Sequence, residues 1–428
     1  MISDRYGISL PMKITPSTIA NNIEEILQWE IESIGVIIPK NLEYNIERFQ
    51  KVLSQYRFPW KLHTVMKTNS SRAVLETGKQ LWCRVDVSSY EELSKTLSIW
   101  YIWENITANG PKNTRFLLSC IEHSVIIAVD SISELEELIS LVPTGKKQKI
   151  LMRISGFTWA RSTRFWILRE HWEKSIHMLE LTRETLDILG YSFHIDKRDV
   201  DLRKAIFWES LEYRKLLRKS WFSVRIINIW GGYGVRYQDD TAIKDSSCTR
   251  FHLGSRLYPQ SDGPVWTDFL KKFLSDEDKL GLSIWGFLEE NNIELWIEPG
   301  RSLMQNVGYG ATRIIAIRHD GSETSLVLDT NSFSLGMREE ELPTDPFLLG
   351  EGDHQHHEYT LLGNLCLESD IFFCRRIRLT RAAKIGDILI FPDIAAYHMD
   401  FYETASILHP KKSRFFQANN TLYSDIFL

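Results

Sequence analysis

Up to about residue 308, short apolar runs alternate with amphipathic stretches; beyond it, apolar runs follow one another with little between them. In the first part, eight runs each end on or contain a polar residue. They are KLHTVMK with Lys67, RVDVS with Asp86, ITANG with Asn109 and SVIIAVDS with Asp130. ILMRI with Arg153 and YSFHI with His194 follow, then IINIWGG running to Gly231 and Gly232, and ELWIEPGR with Glu298 and Arg301. Helix-like stretches separate most of them, so the pattern predicts a strand–helix unit repeated eight times. That repeat is the signature of a closed β/α barrel, which gathers its reactive groups at the C-terminal ends of its strands. Helix starts are legible locally: Ser88 to Glu91 and Ser131 to Glu134 have the S-x-x-E capping-box form, each just after a strand.

Ahead of the barrel, STIANNIEEILQWEIES predicts a helix and IGVII a strand. After Arg301, the runs TRIIAIRHD, TSLVLDT, DIFFCRRIRL, GDILIFPD and YHMDF predict a mostly antiparallel β domain. The predicted division is a barrel over residues 40–308, with a second domain built from 1–39 and 309–428. The aromatic, charged stretch from Gly156 to Gly190 is placed over the barrel mouth, and HLGSRLYPQSDGP reads as loop.

Composition narrows the class. A chain of 428 residues with 43% hydrophobic and 25% charged content is expected to fold as one large and one smaller soluble domain. A net charge of -5 argues against nucleic acid as a partner. No apolar run approaches the roughly 18 residues of a membrane span, and MISDRYGISLPMK lacks the form of a secretory signal. Five cysteines without CxxC spacing imply neither a disulfide framework nor a zinc site, and a cytoplasmic enzyme is expected. The cluster Asp353, His354, His356, His357 and Glu358 lacks a second group at ligand spacing and reads as a solvated loop, so no metal is expected. Fourteen tryptophans are unusual for this length, and most are expected in cores.

The polar residues at the strand ends form a chemically coherent set. Lys67 ends an apolar strand ahead of TNSS, where a partly desolvated lysine can act as an amine nucleophile. Glu298 can hold a proton on a ring nitrogen, and Arg301 can pair with a phosphate. Gly231 and Gly232 can present backbone amides to an anion after the seventh strand, where barrel enzymes often bind phosphate. An amine, an imidazole, a carboxylate, an arginine and a glycine run suit a cofactor carrying an aldehyde, a ring nitrogen and a phosphate. Taken singly, each has an ordinary structural explanation: a surface lysine, a core histidine, an ion pair in a βα turn.

The motifs HTVMKTN, DVSSYEEL, NGPKN, VDSISELEEL, LMRIS, SFHI, WGGYG, IEPGRS, GNLCLESD and FPDIAAY occur in this order between about Ile34 and Tyr402. In this the chain resembles the fold-type III pyridoxal-phosphate decarboxylases, the family of the diaminopimelate, ornithine and arginine decarboxylases. The resemblance implies an α/β fold, a (β/α)8 TIM-like barrel plus a mostly antiparallel β domain. It also implies pyridoxal 5'-phosphate linked to Lys67, with His194 stacked on the ring, Glu298 at the ring nitrogen, and Arg153 near the ring hydroxyl. Asp86 is expected beside the cofactor, and Gly231, Gly232, Arg301 and Tyr397 around its phosphate. It implies a homodimer with shared sites, in which Cys366 from the second subunit helps protonate Cα and Asp370 and Arg338 contact the amino-acid substrate.

Departures bear on the pocket. The family's glycine triplet reads Trp230-Gly231-Gly232 and follows Asn228 instead of an aspartate; SFHI continues Asp196-Lys197; Trp166 stands at a family glycine. Leu367 follows Cys366 where diamine-forming members have an acidic residue, which argues against ornithine, arginine or diaminopimelate as substrate. The expected activity is decarboxylation of an amino acid or amino-acid conjugate. The rivals are a related racemase, a catalytically inert regulatory homologue, and a cofactor-carrying binding protein whose mouth Trp166 and Trp230 close.

Overall fold

In the computed structural model, the described residues are 14–27, 31–160, 167–195, 198–237, 257–258, 265–277, 281–337, 340–350, 352, 355–401 and 406–427. A first strand, β1 (Ser33–Ile37), leads into the helix Pro39–Leu53 and then into the barrel. The barrel strands begin with β2 (Trp60–Val65), β3 (Arg84–Val87), β4 (Ile106–Ala108), β5 (Ile126–Val129) and β6 (Gln148–Ser155). A two-residue strand, β7 (Ile167–Leu168), adds to the outer end of β6. The barrel continues with β8 (Leu186–Ser192), β9 (Ile226–Asn228) and β10 (Glu294–Ile297). Every barrel pairing is parallel, and β10 pairs with β2, closing the ring.

The closure follows from the alternation. Strand residues facing outward pack with the apolar stripes of the surrounding helices in one large core, whereas Ile126, Ala128, Leu151, Leu189, Ile226 and Trp296 form a small separate cluster inside the ring. Gly190 permits the close β8–β9 contact, since a Cβ there would lie 1.9 Å from the Ile226 carbonyl oxygen.

The second sheet is mixed. After the barrel come β11 (Gly308–Asp320), β12 (Glu323–Leu328), β13 (Phe347–Leu348), β14 (His357–Leu362), β15 (Ile377–Leu379), β16 (Ile388–Pro392), β17 (Ser413–Ala418) and β18 (Thr421–Ser424). Their order is β15-β14-β12-β11-β1-β17-β18, with β16 on β11 and β13. β1 therefore lies inside this sheet, antiparallel to β11 and parallel to β17, although it precedes the barrel in the chain. Most pairings are antiparallel; β1–β17 and β12–β14 are the parallel ones.

Two expected elements differ. YHMDF is a succession of turns, not a strand, because Tyr397 adopts φ 67° and is held by its amide to the Thr68 carbonyl at 2.7 Å. Of the helix expected from STIANNIEEILQWEIES, the described residues form a 3-10 turn (Pro16–Thr18) and one α-turn (Ile23–Ile26), whose Ile23 packs into the outer cluster of the second sheet, while 28–30 lie outside the described residues.

Candidate active site

Lys67 sits in the 3-10 turn Met66–Thr68 that ends β2, and the next helix (Arg72–Gln80) is capped by Ser71 through the Val74 amide. β2 thus delivers the lysine to the barrel mouth and the turn holds it there. The second sheet leans on this turn: Tyr397 donates to Thr68, Asn69 Nδ2 to the Ala395 carbonyl at 2.8 Å, and Ser70 pairs with Asp400. A cavity of about 390 Å³ opens here, lined among others by Lys67, His194, Gly231, Gly232, Glu298, Arg301 and Tyr397.

Glu298, one residue beyond β10, is 3% exposed. Its Oε1 accepts from Asn228 Nδ2 at 2.6 Å and from Asn109 Nδ2 at 3.4 Å, while Oε2 is buried without a hydrogen-bond partner. Burial, and then the nearby Asp86 carboxylate, raise the Glu298 carboxyl above its ordinary range. Asp86 is itself wholly buried and raised by burial, opposed by Lys67 and by a hydrogen bond from Asn109. Lys67 and Arg153 offset this only in part, and a protonated ring nitrogen would supply a cation beside the unpartnered oxygen.

The opposite wall is built for an anion. Arg301 lies over the rings of Tyr258 (4.2 Å) and Tyr397 (5.0 Å) and bonds Glu340 through Nη2 at 2.5 Å, while its buried Nη1 has no hydrogen-bond partner. Gly231, Gly232 and Gly300 leave no room for side chains: a Cβ on Gly300 would meet the Tyr397 hydroxyl at 2.8 Å, and one on Gly231 the Glu298 carbonyl at 2.4 Å. Arg203, fully buried in the helix Val200–Lys219, donates to the carbonyls of Ile229, Gly231, Ile195 and Gly232 at 2.6–3.3 Å. It thereby turns the carbonyls of the glycine run outward and frees the cavity side for backbone amides. An unpaired buried carboxylate oxygen, an unpaired guanidinium nitrogen, a glycine cradle and a lysine around one cavity fit pyridoxal phosphate.

One side chain crowds that space. Trp230, at φ 57°, takes Lys67 Nζ over its ring at 4.7 Å and the Arg153 guanidinium at 3.9 Å, with His194 5.2 Å away, and its buried indole N–H has no partner. Arg153, also ion-paired to Asp130 at 2.9 Å, and Asp86 consequently form a buried layer beneath the cavity instead of part of its lining. His194 lines the cavity two residues past β8; burial, with Lys67, Arg203 and Arg153 around it, holds its imidazole well below its usual range and neutral.

Asp370 and Cys366 lie elsewhere. Both Asp370 oxygens are occupied, one by the Leu365 amide within the 363–370 turn (3.0 Å) and the other by the amide of the distant Ser332 (2.8 Å). Its geometry is that of a turn-holding residue, not of a free substrate contact. Cys366 is exposed at the tip of this turn, away from the lysine cavity of its own chain. Arg338, Trp166, Asp196 and Lys197 lie outside the described residues. Sequence reasoning missed Arg203, whose position within the apolar stripe of its helix was the available signal, and also Tyr258 and His398; Glu340 stands in the 338–358 segment, whose mixed charges singled out no one residue.

Among known proteins, residues 40–305 match the family model described as pyridoxal-dependent decarboxylase, pyridoxal binding domain. The chain is 25% identical over 390 residues to 2-[(L-alanin-3-ylcarbamoyl)methyl]-2-hydroxybutanedioate decarboxylase of Staphylococcus aureus, covering 84% of this chain and 88% of that protein. It is 24% identical to diaminopimelate decarboxylase of Zymomonas mobilis, covering 78% and 75%. In fold it is similar to diaminopimelate decarboxylase from M. jannaschii in complex with L-lysine, with TM-score 0.74, 18% identity, and coverage of 91% and 88%.

Proposed function

This chain belongs to the pyridoxal-dependent decarboxylases, and from that premise we propose that it removes CO2 from the α-carbon of an amino acid or amino-acid conjugate, acting as a cytoplasmic homodimer. When bound, pyridoxal phosphate supplies the electron sink for the pair left by the departing carboxylate. The observation behind the reading is the buried, unpartnered Oε2 of Glu298 in the cavity that Lys67 also lines. Such a carboxylate holds a proton on the ring nitrogen and so deepens the sink, which favours decarboxylation over racemisation. Lys67 Nζ provides the covalent anchor at the aldehyde carbon. Arg301, the amides of Gly231 and Gly232, and the Tyr397 hydroxyl bind the phosphate. His194, neutral at working pH, flanks the ring without adding charge.

The outer lining carries both signs, Arg198 and Glu340, which suits a substrate with a polar distal group. The Staphylococcus aureus relative, whose name denotes an amino-acid conjugate as substrate, supports including such conjugates. The exposed Cys366 turn supports a second copy placing it at this cavity, where its thiol would return a proton to Cα.

The test is release of labelled CO2 from an amino-acid and conjugate panel, with Glu298→Gln as control. Carboxyl loss from at least one substrate, severely slowed in the variant, is expected. Inversion of configuration with the carboxylate retained would instead make the enzyme a racemase.

A further inference from the structure

Of the fourteen tryptophans, all but Trp29 and Trp166 lie in described residues, and five of those adopt left-handed backbone: Trp82, Trp100, Trp221, Trp230 and Trp266, at φ 52–60°. Bulky residues occupy that region only rarely, because Cβ collides with the backbone; it is where glycine is used.

Three of the five stand at the same structural place. The helices Arg72–Gln80, Tyr90–Ser98 and Val200–Lys219 have their C-caps at Leu81, Ile99 and Ser220, with Trp82, Trp100 and Trp221 as the first residue beyond each cap. In each, that residue's amide donates to the carbonyl three before it (Lys79 3.2 Å, Leu97 2.9 Å, Arg218 3.0 Å). The next amide donates to the carbonyl five before it (Gly78 2.9 Å, Thr96 3.4 Å, Leu217 3.0 Å). This is the Schellman motif, whose left-handed position is usually glycine and sometimes asparagine. The helix Ile284–Glu290 ends in the same motif with Asn292 there. The three indoles gain nothing by packing: they are 85%, 85% and 89% exposed.

Trp230 shares the backbone and not the surroundings. Its amide donates to Asn228 Oδ1 at 2.9 Å and its carbonyl accepts from the Glu298 amide at 3.1 Å, so the turn imposes φ 57° whatever the side chain. The indole then falls between Lys67 and Arg153, at the start of the glycine run. The three cap residues lie where barrel strands begin and Trp230 where they end, so no common surface unites them; only the backbone geometry does. Trp172 and Trp296 contrast: both are buried at negative φ, with indole N–H groups bonded to the Ile167 carbonyl (3.1 Å) and Glu294 (2.7 Å). Trp266 is left-handed but buried, bonded to Gln305 and stacked on Phe49, so its packing accounts for it.

We propose that the natural polypeptide carries glycine at positions 82, 100, 221 and 230, the codons there being decoded as glycine in the source cell. UGA is assigned to tryptophan in some genetic codes and to glycine in others, so one codon would account for all four. Glycine at 230 extends the cradle by one residue and vacates the space between Lys67, Arg153 and His194 for the cofactor ring. The inference concerns which residue is present and stands independently of which reaction the site performs.

The gene and the protein purified from its native source decide the matter together. UGA is expected at the four codons, with peptides spanning them lighter by one indole side chain per position; UGG at any of the four, or a tryptophan mass, overturns the proposal. Recombinant chains give a second readout. Trp82→Gly, Trp100→Gly and Trp221→Gly should each raise the thermal midpoint by roughly 1–2 °C, opposite to the usual cost of glycine. Trp230→Gly should tighten pyridoxal phosphate binding, followed by absorbance, by about tenfold or more. Lower midpoints in the cap variants, or weaker cofactor binding in Trp230→Gly, would mean that the indoles belong there.

Discussion

Glu298 concentrates the chemistry in one atom. Its Oε1 is held by two asparagines and its Oε2 by no hydrogen bond, so the cofactor-free protein buries a carboxyl whose charged form Lys67 and Arg153 compensate only in part. Glu298→Gln should therefore leave cofactor binding largely intact and slow turnover by roughly a hundredfold or more, since an amide cannot hold the ring proton; single-turnover CO2 release measures this. The same burial sets a pH dependence. The Glu298 pKa is raised on folding, so its contribution to stability is fully present below about pH 4, the ordinary carboxyl range, and is lost as pH rises through the raised value. In the cofactor-free protein, urea midpoints should shift in favour of Glu298→Gln over wild type between about pH 5 and about pH 8; a gap independent of pH would contradict the burial argument. Lys67, His194, Glu298 and Arg301 were legible because each closes an apolar run. Arg203 was not, because its value lies in four carbonyls that only the folded turn brings to it.

At the scale of elements, local signals placed the helix starts nearly correctly. Ser131 caps Ile132–Leu141 as its S-x-x-E spacing predicts, but the neighbouring cap is Ser89 with Glu92, not Ser88 with Glu91. Both serines fit the pattern, and the choice falls to Glu92, whose carboxylate reaches back to the Ser88 amide at 2.6 Å. Glu134 does more than cap: it accepts from the amides of Asp130 and Lys112 and pairs at 2.9 Å with the Lys112 ammonium, whose side chain is 0% exposed. Glu134→Ala should cost about 3–5 kcal/mol, because it strands a buried cation, whereas Ser89→Ala should cost about 1 kcal/mol as a lost cap. Urea unfolding of the two variants should separate them clearly; similar losses would show that Lys112 finds solvent or another partner.

For the whole molecule, the arrangement that matters is between sheets and between copies. β1 threads into the second sheet before the chain enters the barrel, and the Lys67 turn is buttressed by Tyr397, Ala395 and Asp400 from the far end of the sequence. If the Cys366 turn serves the cavity of a second copy, mixing Lys67→Ala with Cys366→Ala protein should restore activity, up to about one quarter of wild type for random exchange in a two-fold dimer. No recovery despite proven subunit exchange would exclude a shared site. Barrel architecture, the eight strand ends and the lysine–glutamate–arginine set follow from the sequence by itself, because apolar periodicity and the residue ending each run are local properties. Only the tertiary structure decided that β1 joins the second sheet, that YHMDF turns instead of extending, that Arg153 and Asp86 lie beneath the cavity, and that Asp370 is consumed by the amides of Leu365 and Ser332. The first two depend on backbone hydrogen bonds from distant segments, the β11 and β17 ladders and the Thr68 carbonyl, and the last two on contacts with Trp230, Asp130 and the Ser332 amide that only folding brings together; no local pattern of apolar and polar residues encodes them.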